Sequence, residues 1–119
     1  MSKPNPYEEF QEALRARDYP RVCETAAALP DGVPLADAVD IVLLIGMHRR
    51  ERYEAAAVRW AGRLCAEQPI DLDELMQVVT SFQVLGRDWD SQRSRGYLID
   101  IAQGRKQGPP RTRSEAWYA

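Results

Sequence analysis

The chain has 119 residues, with 16 Lys plus Arg against 18 Asp plus Glu and a formal net charge of −2. That length fits one domain, and 45% hydrophobic with 29% charged residues is the composition of a folded globular chain, not a disordered one. The longest apolar run, Ile41 to Met47, falls far short of the ~20 residues that span a membrane; no apolar stretch follows Lys3 to form a secretory leader, and two cysteines read as reduced thiols, not as a disulfide framework.

The period is helical almost throughout. Asn5 and Pro6 form a helix start, with a capping side chain followed by proline at the first helical position, and Tyr7, Phe10 and Leu14 then share one face. Asp18 and Pro20 open a second helix through Val22, Ala26 and Leu29, which the Pro30-Asp31-Gly32 turn stops. Pro34 opens a third segment, Leu35 to Met47. Its β-branched centre, Ile41 to Ile45, also suits a buried strand, but its length, its proline start and the lack of a partner strand favour a buried helix.

A fourth helix is predicted from about Glu51 to Ala66, with Tyr53, Ala57, Trp60 and Leu64 as its apolar stripe. A fifth starts at Asp71, which with Glu74 makes a capping-box pattern, and carries Leu72, Leu75, Met76, Val79, Phe82 and Leu85 up to Gly86. A sixth runs from Trp89 to Ala102, burying Tyr97, Leu98 and Ile101. The chain thus divides into a helical domain over 1–103 and a basic, flexible tail over 104–119. That tail offers nothing apolar to bury before Trp117.

Three turns in this series resemble one another. Asp18-Tyr19, Arg52-Tyr53 and Asp88-Trp89 each place an aromatic after a charged residue, at spacings of 34 and 36. A period near 34 in an all-helical chain marks stacked helical hairpins. Ala13-Leu14, then Asp18-Tyr19, then Ala28 resembles the first-helix, turn and second-helix positions of tetratricopeptide-type repeats, and Tyr53 with Gly62 repeats the aromatic-to-small spacing of nine. The resemblance implies an all-α fold of three stacked antiparallel hairpins over residues 7–102. The same hairpins also fit a six-helix bundle.

Catalytic and metal-binding patterns are missing from this sequence. His48 is the one histidine, and its place at the end of the third helix suits a cation at a helix C-terminus. Cys23 and Cys65 lie 42 apart among apolar neighbours, which suits buried structural thiols and gives no zinc spacing. Neither a nucleophile elbow nor a glycine-rich phosphate loop occurs. Asp71, Asp73 and Glu74 are explained by capping and the helix dipole. No enzyme activity, cofactor or metal is therefore expected.

Two features bear on binding. Arg52, Arg59 and Arg63 fall within about 40° of each other on a helical wheel, with Arg49 on the flank. They read either as a solvated face paired with carboxylates such as Asp37 or Asp40, or as a stripe that receives an acidic peptide or phosphates. Trp117 and Tyr118 end a polar, arginine-containing tail; they either fold back on the domain, dock on another protein, or stack on nucleic acid. The sequence points to a cytoplasmic, non-enzymatic protein–protein interaction module, a small adaptor or regulator whose partner is another protein or peptide. The alternative is a nucleic-acid-associated accessory protein that uses the arginine face and the basic tail. No membrane partner is expected.

Overall fold

A computed structural model describes residues 5–104, which form helices and connecting turns with no strand among the described residues. The six helices are α1 (Pro6–Arg15), α2 (Tyr19–Ala27), α3 (Leu35–His48), α4 (Tyr53–Glu67), α5 (Leu72–Arg87) and α6 (Gln92–Ala102), with a 3-10 turn, Arg50–Arg52, leading into α4.

Local chemistry sets most of the helix starts. The Asn5 side chain accepts from the Tyr7 amide at 2.9 Å, ahead of Pro6 at the first helical position. Asp18 accepts from the Arg21 amide at 3.3 Å. At α5 the capping box is complete: the Glu74 amide donates to Asp71 at 2.8 Å, and the Asp71 amide donates to Glu74 at 2.9 Å. Two helix starts differ from the sequence reading. Ser91 caps α6 through the Ser94 amide, so the helix starts at Gln92 and leaves Trp89 in the turn. The 3-10 turn takes up the residues expected to open α4.

The helices pair as three hairpins, α1 with α2, α3 with α4, and α5 with α6. In addition α6 returns onto α3 and α4 meets α5, so the last four helices close into a ring. Ile41 to Ile45 is helical, and the reason it is apolar nearly all round is that α3 serves two cores. Val39, Val42 and Leu43 join Trp60, Leu64, Phe82, Leu85 and Leu98 inside the ring. Leu44 and Ile41 instead meet Phe10, Ala13 and Val22 of the first hairpin. Cys23 and Cys65, expected to be buried, are exposed. Each follows a buried residue, Val22 or Leu64, and the 100° step along a helix turns it outward.

The periodic aromatics join one hairpin to the next. Tyr19 stacks on His48 at 5.5 Å, which ties the first hairpin to the end of α3. Tyr53 meets Trp89 edge to face at 5.1 Å, tying the second hairpin to the third, and the Arg50 guanidinium lies 5.3 Å from the Trp89 ring. Tyr53 also donates its hydroxyl to the Phe82 carbonyl at 2.6 Å.

Burial pushes the Tyr53 phenol from near 10 up to about 12. The fold favours the neutral phenol, so this contribution is whole below pH 10 and is lost as the pH rises through 12. Tyr53→Phe, which loses one hydrogen bond, is expected to cost about 0.5–1.5 kcal/mol near neutral pH. Denaturant titrations should show that deficit shrinking as the pH climbs past 10. A deficit independent of pH would return the phenol to its ordinary range.

Candidate docking groove

α4 and α5 pack least extensively of the neighbours in the ring, and a groove of about 610 Å³ opens between them. Small side chains on α4 cause this: Ala57 and Ala61 face α5 where larger residues would fill the space. Val78 and Phe82, both buried, form the floor from the α5 side. Val58 and Val79 stand at the sides, 65% and 43% exposed.

Along α5 the apolar stripe continues past the groove. Leu72 is 71% and Met76 58% exposed, so Leu72, Leu75, Met76 and Val79 form a row at helical spacing that is open to solvent along much of its length. The sequence reading gave this row together with Phe82 and Leu85 as the apolar residues of the fifth helix. The period was right, but α5 carries two apolar faces, one turned into the ring and one turned out. A row of large apolar side chains left uncovered is the usual mark of an interaction surface.

Polar groups fringe the groove unevenly. Arg50 and Arg87 stand at one end, near the 3-10 turn and the end of α5. At the other end the α4–α5 connection carries Glu67, Asp71 and Asp73. The groove lining is therefore mainly apolar, with Glu54 and Gln83 beside Arg50 and Arg87 at one end.

The four arginines singled out in the sequence are exposed, and none of them lines the groove. Arg49 precedes the 3-10 turn and Arg52 ends it, whereas Arg59 and Arg63 lie on the second and third turns of α4. Their expected partners are engaged elsewhere. Asp40 takes a two-pronged contact from Arg95 of α6 at 2.7 and 2.8 Å, and Asp37 accepts the Tyr7 hydroxyl at 2.5 Å. Arg63 pairs instead with Glu67, one turn along its own helix. Among the described residues no ion pair reaches Arg49, Arg52 or Arg59. Trp117 and Tyr118 lie outside the described residues.

A second, smaller cleft of about 300 Å³ lies between the end of α1 and helices α3 and α6. Arg95 and Asp40 line it, and their mutual contact pushes the Arg95 guanidinium further up. Arg15, Arg17 and Asp90 line it as well, so its walls are largely charged where those of the groove are mainly apolar. Among the described residues no group of His, Cys, Asp and Glu is arranged to hold a metal ion, and no helix is long and apolar enough to cross a membrane. No protein-family model, curated protein or solved structure matches the chain. The site is therefore read from its own geometry.

Arg50 and Arg87 are the residues that sequence reasoning missed. Each adjoins a turn aromatic, Tyr53 or Trp89, in the repeated pattern, and that adjacency was the available signal.

Proposed function

We propose that this protein is a non-enzymatic interaction module of the cytoplasm, a small adaptor or regulator that takes an amphipathic helix of another protein into the α4–α5 groove. The observation that carries this reading is the uncovered row Leu72, Met76, Val79 with Val58 across from it. A helix presenting apolar residues at i, i+3 or i+4, and i+7 matches a row of that spacing. Arg50 and Arg87 outnumber Glu54 at one end of the groove, which favours a ligand helix that brings an acidic residue there.

A displayed library of random peptides, selected against the full chain, tests this reading. The expected survivors carry that apolar spacing and lose binding to Val79→Asp, a change at an exposed position that leaves the core intact. A selection that yields no such peptides, or peptides indifferent to Val79→Asp, overturns it. Survivors that are merely basic or acidic, with affinity falling steeply as salt rises, would move the site to Arg49, Arg52 and Arg59 and support the nucleic-acid alternative.

A further inference from the structure

We propose that residues 105–119 of this chain are themselves a ligand of the α4–α5 groove, seating Trp117 and Tyr118 against Ala57, Ala61 and Val79 and competing with any partner. This inference concerns regulation of the groove and rests on the reading of it as a docking site.

The first argument is where the described chain stops. Gln68, directly after α4, donates its side-chain amide to the Ala102 carbonyl at 3.1 Å, and the same side chain lies against Gly104. The segment that follows therefore departs beside the α4–α5 connection, where the two helices that line the groove are joined.

The second argument is length. Thirteen residues lead from Gly104 to Trp117 and extend up to ~43 Å. The groove from Leu75 to Gly86 is roughly 17 Å long at the helical rise. Trp117 reaches any point in it without strain.

The third argument is chemistry. Arg105, Lys106, Arg111 and Arg113 come first, against the single acid Glu115, and Trp117 and Tyr118 follow. Laid along the groove from the α4–α5 connection, that order leaves the basic residues near the start of α5, where Asp73 is exposed, and carries the aromatic pair on to the apolar stretch. The small Ala57 and Ala61 on the α4 wall, facing Val79, leave room that suits a flat indole better than a branched side chain. An attached ligand acts at an effective concentration near the millimolar range, so a contact of modest intrinsic affinity suffices to occupy the groove.

A fluorescein-labelled synthetic peptide of residues 105–119 provides the probe. Its affinity is measured for the full chain, for the full-length double variant Trp117→Ala/Tyr118→Ala, and for that variant carrying Val79→Asp or, separately, Val58→Asp. The peptide is expected to bind the double variant about tenfold more tightly than the unmodified chain, and to lose binding with either aspartate. Circular dichroism checks that each variant keeps its helices. No binding to the double variant, equal affinity for it and the unmodified chain, or binding that survives both aspartates overturns the proposal.

The two readings fail separately. If selected helical peptides bind the groove and the 105–119 peptide does not, the docking function stands and self-occupancy falls. If the 105–119 peptide binds but selection against the double variant returns nothing, the groove serves the chain alone and the adaptor reading falls.

Discussion

Trp60→Ala is expected to lower stability by about 3–5 kcal/mol, read from urea or thermal unfolding of the full chain. Three losses combine. Trp60 is 3% exposed inside the ring, so truncation removes a large buried surface and leaves a cavity between α4 and its neighbours. Its indole N–H donates to the Leu35 carbonyl at 2.9 Å, across from the fourth helix to the first turn of the third. Its ring also meets Phe82 edge to face at 5.4 Å, which removes a contact with α5. One side chain thus joins three helices of the ring. A loss below about 1 kcal/mol would place Trp60 at the surface and disqualify the core described above.

Gly46→Ala is expected to be the most damaging single-methyl change, costing about 1–3 kcal/mol through overpacking. A methyl there would lie 2.5 Å from Trp89 Cη2 and 2.7 Å from Tyr53 Cδ1, far inside contact distance. Neither ring is free to withdraw. Tyr53 is pinned by its hydroxyl on the Phe82 carbonyl, and Trp89 is held between Tyr53 and Arg50. Gly62→Ala supplies the contrast, because nothing lies within 4 Å of its added methyl. There the usual helical preference for alanine prevails, and the variant should gain up to about 1 kcal/mol. Thermal melts of the two variants side by side give opposite shifts if this account is right. Equal shifts would show that the aromatic contact leaves room for a side chain at position 46.

The parts legible in the sequence are those set within a few residues of one another. The caps at Asn5, Asp18 and Asp71 depend on a side chain and an amide two or three positions away, and each was readable. The repeat of Tyr19, Tyr53 and Trp89 was readable as a period, and contact between hairpins is the physical reason for it.

What was not legible depends on residues brought together from far along the chain. Arg95 and Asp40 are 55 positions apart, and nothing near either residue singles out the other as its partner. The groove escaped notice for a related reason. A stripe such as Leu72, Leu75, Met76 and Val79 looks the same whether or not a helix lies across it, and its opposite wall is set by the small size of Ala57 and Ala61 on another helix. Cys23 and Cys65 were misplaced because apolar neighbours in sequence are not neighbours on a helix face.

The division of α3 between two cores governs how the molecule opens. The first hairpin holds on through a small apolar cluster, chiefly Phe10, Ala13, Val22 and Leu44, while the ring keeps most of the buried side chains. α1 and α2 are therefore expected to detach at a lower free energy than the ring unfolds, and hydrogen exchange to show two tiers of amide protection. The amides of Ala13 and Val22 exchange through the shallow opening. Those of Leu64, Val78 and Leu85 wait for the whole ring to come apart. Both walls of the groove belong to the deeper tier, so the α4–α5 groove is expected to keep its shape while the opposite flank of the protein breathes.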